Sequence, residues 1–252
     1  MNELFTTLDR ATGRTAAEPG LDGLVHGLLA EVVAGTRALR AVAHPLGFVC
    51  LPVVRDGAYG VCVHVFDPAE TARMREIHCH SWELKSSVLY GRVGNLRVGV
   101  YDEPARPTHR AFEVYSDGAT GVDEVRPTPR LVRWEPLAEQ TSARGDTYTL
   151  GAGEFHATVL PDDAPAATVV LGRTVPGPVD VVLGPLDGPA RRVVRRLCDA
   201  DRTARIAEEA ARRIGSGYGY GYGYGRGTRY GHGNGRGDGH GHGSGHGRWR
   251  TG

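Results

Sequence analysis

Glu76-Ile77-His78-Cys79-His80-Ser81-Trp82-Glu83, running on through Leu84-Lys85-Ser86-Ser87-Val88-Leu89-Tyr90 to Gly91, is the stretch on which the fold turns. Side chains alternate along an extended strand, so His78 and His80 project from one face and their imidazoles can meet a single metal ion. A third histidine stands downstream at His156, in Gly153-Glu154-Phe155-His156. Three imidazoles converging inside a small β-barrel leave coordination positions open, an arrangement that serves chemistry more often than support.

Outward from this stretch the chain reads as strands. Phe48-Val49-Cys50-Leu51-Pro52-Val53-Val54 and Tyr59-Gly60-Val61-Cys62-Val63-His64-Val65 flank Arg55-Asp56-Gly57, and an Asp-Gly turn between such runs signals a hairpin. Further strands are expected over residues 86–89, 95–101, 112–115, 130–136, 147–150, 156–160 and 167–173. Many short strands separated by Gly, Pro and Asp predict an all-β core, either closed or built from two sheets.

Both flanks change period. Leu21, Leu24, Val25, Leu28, Leu29, Val32 and Val33 recur every three or four residues, which predicts an amphipathic helix ending near Leu39 that covers the barrel. Val193, Leu197, Ala200, Ala204, Ala207, Ala211 and Ile214 repeat the pattern and predict one C-terminal helix over 189–214. The expected organisation is a helical segment over 1–45, a barrel over 46–187, a helix over 188–214 and a tail over 215–252. In the tail nearly every second residue is glycine, and such a segment buries too little apolar surface to offset its ordering entropy, so disorder is expected.

Composition bounds the function. The 252 residues are 40% hydrophobic with a formal charge of +1. From Gly215 onward five arginines stand against one aspartate, so the tail carries +4 and the remainder −3. The body is therefore not a polyphosphate binder by charge alone. Cys50, Cys62, Cys79 and Cys198 form no close CxxC pair, and residues 1–10 lack a basic patch before a long apolar core. Free thiols in a cytoplasmic setting, with no signal peptide and no membrane span, are the expectation.

These residues resemble a cupin, a jelly roll of double-stranded β-helix type whose first motif holds a His-x-His pair and whose second holds a third histidine. Gly145, Gly151, Gly153, His156 and Leu160 reproduce the spacing of the second motif, with Gly151 in a slot that is usually proline and Leu160 in one that is usually asparagine. His78, His80 and Gly91 keep the separations of the first. The resemblance implies His78, His80 and His156 as metal ligands, Fe(2+) first, with Mn, Ni or Zn as the other ions of the family, and a homodimer formed through barrel edges.

The family's glutamate falls four or five positions after the second histidine, and here those positions are Leu84 and Lys85. Glu83 is one residue early, and a one-residue shift turns a side chain to the opposite face unless a bulge at Ser81-Trp82 returns it. Two readings stay open. Three histidines alone resemble the thiol dioxygenases of the cysteine dioxygenase type, in which a ferrous site takes a thiol or amino acid and O2. Three histidines plus Glu83 resemble the wider group of dioxygenases, decarboxylases and isomerases. A ligand-binding cupin without turnover is the reading outside enzymes.

Two further side chains are candidates for catalysis. Val169, Leu171 and Arg173 share a face; if it is the barrel interior, Arg173 stands at the mouth and grips a carboxylate, and if not it faces water. Tyr148, eight residues before His156, is a candidate lining residue. Cys79 alternates away from its neighbours and packs outside the barrel, Trp82 fills core, Lys85 is a solvated lysine, and His64 and His109 are surface or core-edge histidines. The partners implied are a small-molecule substrate and O2. No helix-turn-helix pattern adjoins the barrel, and His232, His240, His242 and His246 with the tail arginines read as a solubilising extension, so neither nucleic acid nor membrane is expected as a partner.

Overall fold

The computed structural model describes residues 3–11, 20–69, 76–117 and 120–216. The tail from residue 217, with its expected disorder, lies outside the described residues.

In chain order the elements are α1 (Glu3–Ala11), α2 (Leu21–Val33), β1 (Val42–Ala43), β2 (Val49–Asp56), β3 (Tyr59–Phe66), β4 (His78–Cys79), β5 (Trp82–Tyr90), β6 (Arg92–Asp102), β7 (His109–Asp117) and β8 (Val122–Ala143). They continue as β9 (Thr147–Leu150), β10 (His156–Val159), β11 (Ala166–Thr174), β12 (Val181–Gly184), β13 (Arg191–Val194), β14 (Arg196–Leu197) and α3 (Ala200–Ser216). The strands form two antiparallel sheets of seven, in the orders β14-β1-β2-β3-β11-β5-β9 and β13-β8-β6-β10-β4-β12-β7. In the second, β8 also pairs with β7, which joins the two ends of the run β8-β6-β10-β4-β12-β7. This is the all-β, double-sheet architecture expected, with helices at both flanks.

The first sheet is buried on both faces. Residues paired across a ladder share a face, so Val49, Leu51, Val61, Val63, Ala167, Val169 and Leu171 lie together on one side. There they pack against Phe5 and Leu8 of α1, Val25, Leu28, Leu29 and Val32 of α2, and Ala207, Ala210, Ala211 and Ile214 of α3. The other parity, with Cys62, His64, Phe66, Ala166, Thr168 and Val170, faces the second sheet. Phe66 and Ala166 meet Val93 of β6 there, and Val170 packs with Val88, Tyr148 and Leu150. Arg144 ties the helical layer to the sandwich, donating to Asp22 at 2.7 Å and to the Ile214 carbonyl at 2.8 Å.

The hairpin at Asp56-Gly57 forms as read, with Asp56 paired to Tyr59 across a two-residue loop. The first expected helix stops at Val33, short of Leu39, because Gly35 takes a left-handed φ of +72° and the amides of Thr36 and Arg37 turn back to the Glu31 carbonyl. α1 lies inside the helical segment expected over 1–45, ahead of the apolar periodicity that marks α2.

The C-terminal helix requires a larger correction. Residues 191–197 are strands, β13 on β8 and β14 on β1, and the helix begins only at Ala200. Asp199 sets that start, its Oδ1 accepting from the Arg202 amide at 2.6 Å. Arg191-Arg192-Val193-Val194-Arg195-Arg196-Leu197 fits both periods, so apolar spacing could not place the boundary. Among the described residues no helix is long and apolar enough to cross a membrane.

Candidate metal centre

The three histidines come together. His156 on β10 is paired directly with His78 on β4, and their rings lie 4.4 Å apart between centroids. His80, just past the end of β4, has its ring 4.9 Å from His78 and 5.2 Å from His156. One ring nitrogen from each falls within 4.8 Å of the other two. The two segments are stitched together, since the Gly153 amide donates to the His80 carbonyl at 2.8 Å. Ser81, the next residue, is held by its own amide donating to Asp180 Oδ1 at 2.6 Å.

Two of the rings are oriented by the same local device. His78 Nδ1 lies 2.8 Å from the Glu76 carbonyl and His156 Nδ1 lies 3.0 Å from the Glu154 carbonyl, each two residues back along the chain. A carbonyl only accepts, so the ring proton sits on Nδ1 and the Nε2 lone pair is left for an ion. Electrostatics point the same way. Burial lowers the pKa of all three, with His156 pushed down to about 3 and His80 held well below the usual range by burial and by the neighbouring imidazoles. Neutral imidazoles in the right tautomer fit a divalent transition metal by the chemistry of the donor set.

Glu83 does not join them. It lies on the helix-side parity of β5, directly opposite Arg173 on β11, and Arg173 Nη2 donates to its Oε2 at 2.6 Å. About half of each side chain is exposed. The bulge at Ser81-Trp82 that would have returned Glu83 to the histidines is absent, since Trp82 and Glu83 follow regular ladder pairing with Thr174 and Arg173. Leu84, buried against Tyr148, Val88 and Val170, takes the inward place. Arg173 takes the second of its two expected faces, away from the interior. The inward parity of β11 is Thr168, Val170 and Gly172, so Val169, Leu171 and Arg173 point to the helical side.

Tyr148 is inside, with its phenol against Ser86 and Asn95. Burial raises its pKa while those two side chains oppose the rise. Trp82 packs on the same cluster and its ring reaches His80 edge-on at 5.6 Å. Cys79 is buried on the face away from the histidines, as expected, and burial pushes its thiol up to about 11. Lys85 is not simply solvated: it pairs with Asp9 of α1 at 3.0 Å.

Several residues escaped the sequence reading. Arg97 is paired with His156 across β6 and β10; it donates to the Thr149 carbonyl at 2.7 Å and lies 3.0 Å from Glu154, fixing the segment that carries the third histidine. Ser86 Oγ, Thr168 Oγ1 and both amide atoms of Asn95 are buried within the sandwich without a hydrogen bond of normal geometry among the described residues. His64, read as a surface or core-edge residue, stands on the inward parity beside Cys50 and Cys62. A register argument would have found these residues once the inward parity of one strand was known.

The fold and site together are an antiparallel two-sheet sandwich with three histidines clustered within reach of one ion. Among solved structures the chain is similar to a sugar phosphate isomerase from a cupin superfamily of Silicibacter pomeroyi DSS-3, with TM-score 0.35 and 15% identity, over 64% of this chain and 90% of that chain. It is also similar to the hydroquinone 1,2-dioxygenase PnpCD, in complex with Cd2+ and 4-hydroxybenzonitrile, with TM-score 0.31 and 12% identity, over 65% of this chain and 80% of that chain. No family model matches the sequence, and neither does any curated protein.

Proposed function

We propose that the protein is a mononuclear non-heme iron oxygenase in which His78, His80 and His156 hold Fe(2+) and a small polar metabolite, a thiol or amino acid among the candidates, binds beside O2. One observation carries this reading: three neutral imidazoles converge with Leu84, and no carboxylate, in the inward place after the second histidine. A ferrous ion on three uncharged ligands keeps its full charge and supplies open positions for a chelating substrate and dioxygen.

The chain's own residues supply the rest. Glu76 and Glu154 hold two rings through their carbonyls, so the imidazoles need no reorganisation when an ion binds. Tyr148, kept protonated by burial, offers a hydroxyl inside the sandwich beside Ser86 and Asn95, and Thr168 Oγ1 and the rest of the Asn95 amide are polar atoms without a partner among the described residues. Buried polar groups without partners are costly, so their retention supports a polar ligand or ordered water in this interior. Trp82, Leu84 and Val88 keep bulk solvent from that side.

The same orphan polar atoms favour a second reading, a non-redox cupin isomerase or decarboxylase acting on a hydroxylated substrate with Zn, Mn or Ni. Anaerobic reconstitution with each metal, followed by oxygen uptake against thiols, amino acids and hydroxy-aromatics, separates the two. Uptake that depends on both iron and one substrate supports the oxygenase. Turnover with Zn or Mn under strict exclusion of oxygen sinks it.

A further inference from the structure

Cys50, Cys62 and His64 form a second cluster, which shares no residue with the three histidines. Cys50 on β2 is paired directly with His64 on β3, and Cys62 lies two residues before His64, so all three side chains share the inward face of the first sheet. The two sulfurs and one imidazole nitrogen fall within 4.8 Å of one another. Both thiols are free and buried, at 8% and 2% exposure. Phe48 lies on the His64 ring at 4.5 Å and Phe66 meets that ring edge-on at 6.3 Å, the two phenyl rings being 5.5 Å apart.

We propose that Cys50, Cys62 and His64 are a second metal site, specific for a thiophilic divalent ion, with Zn2+ as its natural occupant. Two thiolates and a neutral imidazole balance a divalent charge to zero, which suits a buried place, whereas a monovalent soft ion would leave the donor set with a net negative charge. Hydrogen bonds from Cys50 and His64 hold the Cys62 thiol well below its usual range, and the same contact with Cys62 pushes that of Cys50 up. Binding Zn2+ releases the remaining thiol protons to solvent, forms two Zn–S bonds and one Zn–N bond, and involves no redox step. Three protein ligands leave one position for water or a small ligand.

The two sites differ in donor chemistry, so one probe separates them. Full-length protein carrying His78→Ala and His156→Ala, reduced and anaerobic, is titrated with Co2+. About one equivalent is expected to raise a near-ultraviolet thiolate-to-cobalt charge-transfer band, which Zn2+ then abolishes. The band is expected to vanish in Cys62→Ser and in Cys50→Ser made in that background. Cys50→Ser/Cys62→Ser in the otherwise native chain, still binding one ion through its three histidines, shows that the serine changes leave the fold intact. Absence of the band in the parent, or its persistence in Cys50→Ser/Cys62→Ser, overturns the assignment. Neither outcome depends on whether the three-histidine centre is an oxygenase.

Discussion

His78 and His156 face each other across β4 and β10 as directly paired residues, their rings 4.4 Å apart, each with Nδ1 against the carbonyl two residues before it. The two rings are thus held by a ladder position and by their own local backbone, independent of the exposed Glu83–Arg173 pair.

Metal content should follow that division. His156→Ala is expected to bring bound divalent metal below a tenth of an equivalent after dialysis against chelator. Glu83→Gln should leave it at one. The Glu83–Arg173 pair is about half exposed and screened by solvent, so Glu83→Gln should leave stability nearly unchanged. Elemental analysis with denaturant unfolding checks both; loss of metal in Glu83→Gln would return the carboxylate to the ligand set.

Acid should destabilise the metal-free protein early. Burial lowers the pKa of His44, His78, His80 and His156 below that of the unfolded chain, so unfolding takes up protons. Stability is therefore complete above pH ~6.5 and falls as the pH drops through it, by up to ~1.4 kcal/mol per pH unit for each histidine. His156 goes on contributing down to about pH 3. Denaturant midpoints measured across this range test the slope, and a flat profile from pH 7 to 5 contradicts the prediction.

Gly91, the residue that closes the first motif, has φ +72°, and a Cβ there would stand 2.5 Å from the Pro165 carbonyl oxygen and 2.8 Å from Ala166. Gly91→Ala meets both backbone strain and an unyielding backbone contact, with an expected loss of ~2 kcal/mol or more. Thermal or chemical unfolding reads it directly.

Asp199→Ala removes the N-terminal cap of α3 and is expected to cost ~1 kcal/mol. If stability is unchanged, the strand-to-helix boundary at residues 197–200 is not set by this side chain.

Thr168→Val replaces an inward hydroxyl that has no partner among the described residues with a methyl of the same shape. Stability should hold or rise, while substrate turnover falls if the interior is the substrate chamber. A melting temperature that drops by several degrees would mean that the hydroxyl is satisfied in the folded protein.

The three histidines were legible because a His-x-His on a strand and a third histidine in a glycine-spaced motif depend only on local periodicity. The side of the sheet was not. Along β11, Ala166-Ala167-Thr168-Val169-Val170-Leu171 is apolar or small at nearly every position, since helices bury one face and the second sheet buries the other. Alternation without a polar face gives no clue to which parity is interior, and so Arg173 and Glu83 were left without a side. The strands at 191–197 were hidden for a related reason: paired arginines and valines satisfy both periods, and only pairing with β8 and β1 decides between them.

β4 is two residues long, with one paired position on β10 and two on β12. By contrast β11 is fastened by eight rungs to β3 and eight to β5; here an ion bound by His78, His80 and His156 would act as an extra rung, a coordinate link in place of missing amide ones. Loading the centre should accordingly be felt as slower amide exchange at Cys79 and Ala157 before it is felt in the stability of the whole.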